Sequence, residues 1–221
     1  MCKKRFFVIL FYGWIISMAV SAWGNKRPIA DSHSECTHYY VDSRNGNDGN
    51  DGHSARQAWK SLKRIKNLKL YAGDQLLLRR GSVWHGSLTV CGNGTPKDSI
   101  IVDAYGKGPR PKVVGEEHSP FAVQIRNSNY ITVQNLEIVN KGKERLAGRC
   151  GIEVLDDENG ISRQVHLRSL YIHDVNGTLA KHSGEGCGIL IKKEWKKIPS
   201  AFDGLVIEDC IIQRCERNGM T

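Results

Sequence analysis

ITVQNLEI (Ile131–Ile138), VHLRSLYI (Val165–Ile172) and LVIEDCII (Leu205–Ile212) align without a gap. Each reads apolar, any, apolar, two polar residues, apolar, any, apolar. An alternation of period two puts successive side chains on opposite faces of a strand; a helix would space its apolar residues three and four apart. The polar pair interrupts the alternation at one fixed point: Gln134-Asn135, Arg168-Ser169 and Glu208-Asp209. Asn and Asp tolerate left-handed backbone, so Asn135, Ser169 and Asp209 are expected to bend the chain between two short strands.

A shorter pattern runs ahead of each copy: AVQI (Ala122–Ile125), GIEV (Gly151–Val154) and GILI (Gly188–Ile191). Each unit therefore reads strand, loop, strand, tight bend, strand, long loop. No unit of this size buries its own apolar face, so the units must stack. Three short parallel strands per turn make one coil of a β-helix. Cys150 and Cys187 hold one slot, each just before Gly-Ile, and Cys210 holds the slot of Leu136 and Leu170. They are expected to pack as small core hydrophobes in a ladder. An even cysteine count in an exported chain invites a disulfide reading, which stays open for Cys36, Cys91 and Cys215.

Outward from the repeats, the N-terminal segment decides the compartment. Lys3, Lys4 and Arg5 precede a short apolar run, and small residues follow at Ser21, Ala22 and Gly24. That is the pattern of a secretory signal peptide, residues 1–24, which places the mature chain outside the cytoplasm with no integral membrane span. The net charge of +9 loses the three basic residues of that segment. No basic helix clusters, so nucleic acid is not an expected partner; the mild positive bias suits an acidic polymer. Residues 25–38 are polar. Asn45–Gly52 is a turn-forming run that departs from the register of a calcium loop. Ala58, Leu62, Ile65 and Leu68 recur at helical spacing, so an amphipathic helix is expected over Ala55–Leu68. Strands are expected at Gln75–Leu78, Ser87–Val90 and Ser99–Ala104.

YYVDSRNGNDGNDG (Tyr39–Gly52), AWKSLKRI (Ala58–Ile65), AGDQLLLRRGSVWHGSLTV (Ala72–Val90), IIVDAYGKGPRP (Ile100–Pro111) and the three repeats together resemble the right-handed parallel β-helix proteins of the pectate-lyase-like fold. The resemblance implies an all-β solenoid with an N-terminal capping helix, a cap over 39–72 and coils over 73–221. Gly219-Met220 repeats Gly151-Ile152 and Gly188-Ile189, so the last coil is expected to be half-built and the chain to be the N-terminal part of a longer β-helix. The family's members act on polysaccharides as lyases or glycosidases, and some are non-catalytic glycan-binding or cell-surface proteins. A polysaccharide or other glycan is thus the expected partner.

The family's groove orders the search for chemistry. The outward column of the strand before the variable loop is Gln124, Glu153 and Leu190. Lys181, His182 and Glu185 come from the long loop, and Lys192, Lys193 and Trp195 follow the strand. β-Elimination needs a base for the C5 proton and a cation on the uronate; Lys192 or His182 is the expected base. Hydrolysis needs two carboxylates across a groove, and Glu153 with Glu185 is the expected pair. Gln124, Lys181, Lys193 and Trp195 are expected to hold substrate. Ca²⁺ stands as a candidate cofactor, with Glu153, Asp156, Asp157 and Glu158 as the carboxylates that could gather, although a solvated acidic loop fits them better. His173-Asp174 reads as a turn hydrogen bond before a dyad. GEGCG (Gly184–Gly188) lacks the strand–turn–helix of a nucleotide loop, and no Ser-His-Asp or Walker pattern occurs.

Overall fold

A computed structural model describes residues 36–157, 160–179, 186–193 and 201–221. The strands form a right-handed parallel β-helix of three long sheets. Sheet I stacks His38–Val41, Gln75–Arg79, Ile100–Tyr105, Ile131–Gln134, Val165–Arg168 and Val206–Glu208. Sheet II stacks Val83–His85, Lys112–Val114, Glu137–Asn140, Tyr171–Val175 and Ile211–Cys215. Sheet III stacks Lys69–Tyr71, Leu88–Asn93, Phe121–Arg126, Cys150–Asp156, Cys187–Lys193 and Asn218–Met220. A minor pair, Ile161–Arg163 with Ala201–Asp203, decorates the loop side. After a first coil that passes from sheet I to sheet III, the chain visits sheets I, II and III in turn, so every ladder partner lies one coil away.

The repeats stack in register, as their alignment requires. Val133 pairs with Leu167 and Leu167 with Ile207; Ile138 pairs with Ile172 and Ile172 with Ile212. Leu136, Leu167, Leu170 and Ile172 are fully buried, because a period of two sends alternate residues inside from all three sheets. Asn135, Ser169 and Asp209 take φ of 60, 49 and 53°, the left-handed bend expected between sheets I and II. Their peptides also join the stack: Asn135 N–H donates to the Arg168 carbonyl at 3.3 Å, and Ser169 N–H to the Glu208 carbonyl at 3.1 Å.

Cys150 and Cys187 are buried ladder partners, and Cys210 packs half-buried against the same core. None of the six described cysteines forms a disulfide. Burial pushes the Cys150 thiol well above its ordinary range, which suits a core hydrophobe and disfavours a nucleophile. Gly151 precedes Ile152 for a packing reason: a β-carbon there would lie 2.6 Å from Ile172 Cγ2 and 2.7 Å from the Gly188 carbonyl oxygen.

The expected capping helix over Ala55–Leu68 does not form. Within that stretch the one helical element is a single 3-10 turn, Leu62–Arg64. Tertiary bonds take the peptide groups a helix would use. Trp59 N–H donates to the Tyr40 carbonyl at 2.9 Å, and Asp42 N–H donates to the Trp59 carbonyl at 2.8 Å. The Asp48 carboxylate accepts the N–H groups of Lys60 and Ser61, both at 2.8 Å, and the Ser61 hydroxyl at 2.7 Å. The apolar stripe still does its work, since Ala58, Trp59, Leu62 and Ile65 are all buried against the first coils. In the turn of Asn45–Gly52, Asn47 and Asp51 accept from the backbone N–H two residues on, at Gly49 and His53.

Candidate functional site

Outward residues of successive sheet III strands fall in columns. Gln124 pairs with Glu153 and Glu153 with Leu190, as the alignment of the strands implied, and Thr89 extends the column by pairing with Gln124. The rungs are about 4.8 Å apart, so the four side chains make one lane along the helix axis. Gln124 Nε2 donates to Glu153 Oε2 at 2.6 Å, which fixes the carboxylate in the middle of the lane. The next column is Arg126, Leu155 and Lys192. Lys192 is exposed at the lane's edge.

The cap end of the lane opens into a cavity of about 410 Å³ lined by Ser61, Leu62, Trp84, His85, Ser87, Thr89, Glu116 and Phe121, with Lys63 and Lys66 at its margin. Ser87 sits within 2.5 Å of the Ser119 hydroxyl and 2.9 Å of the Phe121 carbonyl, so the cavity wall is hydrogen-bonded to the following coil. Trp84 is buried and its indole N–H donates to the Lys60 carbonyl at 2.9 Å, which ties the cap to the pocket. None of these cavity residues was legible as a site. They come from the cap, the first sheet II strand and the edge of sheet III, and only the coil brings them together.

Lys193, expected beside the groove, is turned the other way. It shares the inward parity of Ile189 and Ile191, lies 3.5 Å from the fully buried Asp156 carboxylate, and sits 4.2 Å from the Phe202 ring centroid. Asp156 also accepts the Ser162 hydroxyl at 3.0 Å. Asp157 takes Arg126 Nη2 at 2.7 Å and the Asn127 amide at 2.6 Å. Of the carboxylates considered for calcium, Glu153, Asp156 and Asp157 are therefore engaged by separate donors, and among the described residues no His, Cys, Asp and Glu group gathers as a metal cage. Lys181, His182, Glu185, Trp195 and Glu158 lie outside the described residues.

Sheet II carries a second polar constellation on its outward side. His173 Nε2 lies 3.0 Å from Glu137 Oε1, and its Nδ1 lies 2.6 Å from Asp174 Oδ2. Lys112 Nζ reaches Glu137 at 2.6 Å. Arg214 grips Asp174 with two bonds, Nε to Oδ1 at 2.7 Å and Nη2 to Oδ2 at 3.0 Å. Asp174 and Arg214 face each other because both sit in left-handed bulges, at φ of 52 and 51°, one coil apart. The sequence suggested a turn hydrogen bond at His173-Asp174; the structure instead pairs the two side chains directly, and Glu137, Lys112 and Arg214, tens of residues away in the chain, join them. The Arg214 hydrogen bond, stronger than the opposing desolvation and helped by His173, holds Asp174 well below the usual carboxylate range. Partial burial pushes Glu137 up, but bonds from Lys112 and His173 outweigh it and hold that carboxyl low as well. Two carboxylates kept ionised supply no general acid near neutral pH. The network instead builds one wall of a cavity of about 310 Å³ lined by Lys141, Asp174, Val175, Asn176, Arg214, Cys215 and Glu216.

No protein-family model matches the chain, and no curated protein matches it. Solved structures do. The native crystal structure of the GH136 lacto-N-biosidase from Eubacterium ramulus matches with a TM-score of 0.69 and 29% identity over 83% of this chain, which is 36% of that enzyme. Its selenomethionine derivative matches with a TM-score of 0.71 and 32% identity over 82% of this chain, again 35% of the enzyme. The chain thus spans about a third of the length of the enzyme it matches. An alginate lyase from Paenibacillus sp. str. FPU-7 matches with a TM-score of 0.44 and 18% identity, over 67% of this chain and 53% of that one. The chain thus shares its parallel β-helix with a carbohydrate-active enzyme.

Proposed function

We propose that this chain is an exported glycan-acting β-helix protein of glycoside hydrolase type, and that the glycan lies along the sheet III lane from the cap cavity past Thr89, Gln124 and Glu153 to Lys192. The observation that carries the reading is the likeness to a lacto-N-biosidase at about 30% identity over most of this chain. The lane adds hydroxyl, amide and carboxylate groups in single file, which suit a chain of sugar hydroxyls, and a cavity at one end.

A second reading, glycan binding without catalysis, rests on a specific observation. Hydrolysis calls for two carboxylates facing across the scissile bond. Among the described residues the lane column holds one, Glu153, already bound to Gln124. The test is calorimetric titration of the purified protein with a panel of neutral and acidic oligosaccharides, with a chromogenic lacto-N-bioside assayed for release in parallel. Glycan binding that Thr89→Ala and Glu153→Gln each weaken by about tenfold, a loss of roughly 1.4 kcal/mol, supports the lane. Turnover abolished by Glu153→Gln supports the hydrolase; binding with no turnover favours the second reading. Unsaturated uronate ends, seen by ultraviolet absorbance, would replace hydrolysis by elimination with Lys192 as the base. Binding to no glycan, or binding indifferent to both variants, overturns the proposal.

A further inference from the structure

The sheet I strand ends and the turns that follow them near the cap carry five cations: Arg44, Arg79, Arg80, Lys107 and Arg110. They come from three successive coils. The turns are bonded rung to rung, with Arg80 N–H donating to the Tyr105 carbonyl and Gly81 N–H to the Pro109 carbonyl, both at 2.9 Å. Ser43 N–H donates to the Ser82 hydroxyl at 3.2 Å, which ties in the first turn. The cations therefore stand in a file along the helix axis, at the strand spacing of about 4.8 Å per rung.

Two glycines make room for this file. Gly81 has φ of 78°, and a β-carbon on it would lie 3.4–3.5 Å from three atoms of the Arg44 guanidinium. Gly106 has φ of 79°, and a β-carbon there would lie 2.6 Å from Arg79 Nη1. Each guanidinium thus lies against bare backbone of the next coil. Arg79 is also held over the Tyr105 ring, 5.5 Å from its centroid, and Tyr105 meets Tyr40 edge-on at 5.1 Å.

The acids of this corner face elsewhere. Asp42 is buried, and its carboxylate accepts the N–H groups of Arg44 and Asn45, the Asn45 amide and the Ser82 hydroxyl. Asp103, two residues before Tyr105, accepts the Gln134 and Asn135 amides, both at 2.7 Å. Elsewhere on the surface, Lys112, Arg126, Arg145, Arg163, Arg168 and Arg214 each reach a carboxylate. Among the described residues, none of the five corner cations does. Other exposed cations, such as Lys63, Lys66 and Lys97, also reach no carboxylate among the described residues; what sets this corner apart is that its unpaired cations line up over three coils, where their summed field favours an external anion.

We propose that this corner is a binding surface for an anionic polysaccharide, a polymer bearing carboxylate or sulfate groups, separate from the sheet III lane. A linear file of cations fits a linear polyanion better than a planar anionic membrane, and the Tyr40–Tyr105 pair beside it gives a sugar ring an aromatic neighbour. Guanidinium forks grip carboxylate and sulfate oxygens in pairs. The surface would hold the protein on an acidic glycan while the lane works on its own ligand, so failure of either reading leaves the other standing.

The experiment is affinity electrophoresis of the purified protein through gels containing polygalacturonate, dextran sulfate or neutral dextran, with sedimentation against vesicles containing anionic phospholipid. A triple variant, Arg44→Gln with Arg79→Gln and Lys107→Gln, is compared with a control of the same charge change, Arg56→Gln with Lys60→Gln and Lys97→Gln. The expected result is retardation by one or both polyanions and not by neutral dextran, weakening as salt rises, and reduced about tenfold in the corner variant against less than about threefold in the control. Polygalacturonate alone would assign a carboxylated polymer, and dextran sulfate alone a sulfated one. Equal loss in both triple variants, retention by vesicles only, or no retention by either polyanion overturns the proposal. Five of the six positions are on turns or loops and Arg79 ends its strand; unchanged thermal unfolding confirms that each variant is folded.

Discussion

Asn135 offers the sharpest test of why the coil bends where it does. Its φ of 60° costs an ordinary L-residue roughly 1–2 kcal/mol, a cost that glycine escapes. Its side-chain amide also donates to the Asp103 carboxylate at 2.7 Å, a charged hydrogen bond worth about 1.5–3 kcal/mol. Gln134 still serves Asp103 when that bond is lost, so the low end applies. Asn135→Gly loses the bond and adds unfolded-state entropy of about 0.4–1 kcal/mol, for a total near 2 kcal/mol. Asn135→Ala loses the bond and meets the left-handed strain, for a total of about 3 kcal/mol. Ser169 shares the bend with φ of 49° but has no such bond to lose, so Ser169→Gly is expected within about 1 kcal/mol of the parent, on either side. The assay is urea unfolding followed by tryptophan fluorescence, comparing midpoints at constant slope. If Asn135→Ala proves no worse than Asn135→Gly, or if Ser169→Gly costs as much as either, the bend is not governed by left-handed backbone and the reasoning fails.

Three further outcomes are expected. Arg149 is 1% exposed and donates to the carbonyls of Glu117 and Glu144 and to the Asn176 side chain, so Arg149→Met leaves these neutral acceptors of two loops unpaired and should cost about 1–3 kcal/mol in the same unfolding assay. Gly151→Ala forces a β-carbon against Ile172 and the Gly188 carbonyl and should cost about 1–3 kcal/mol by overpacking, where the exposed Gly219, whose nearest neighbour would be Ile212 at 3.8 Å, should lose far less. Glu137 and Asp174 have folded values below their unfolded ones, so the stability they contribute is present above about pH 4 and is lost as pH falls through the folded values. Arg214→Gln removes the first cause of the Asp174 shift and should reduce that acid dependence, measured as a smaller drop in unfolding midpoint between about pH 5 and pH 2.

Much of the fold could be read before any coordinates. The alternation in Ile131–Ile138 and its two copies, the polar pair at the bend, and the Gly-Ile strands are local patterns, and stacking them is the one way to bury their apolar faces. The cysteine ladder and the lane column of Gln124, Glu153 and Leu190 followed from the same register. The cap was legible in part: Ala58, Leu62 and Ile65 are buried as their spacing implied, but the helix is absent because Tyr40, Asp42 and Asp48 compete for its peptide groups. Lys193 was misplaced because a column assigns parity only where the partner in the ladder is known, and its partner is the buried Asp156.

The amino-acid sequence by itself determined which residues point inward, where the chain bends, and that identical units must stack, because those follow from side-chain alternation and the left-handed tolerance of a few residues. Only the tertiary structure decided which polar groups meet: Glu137 with His173, Arg214 with Asp174, and Arg44, Arg79 and Lys107 along one corner. Those contacts join residues about one coil apart. Their geometry depends on the length of each loop and on single-residue bulges at Asp174 and Arg214, which leave no periodic trace in the chain.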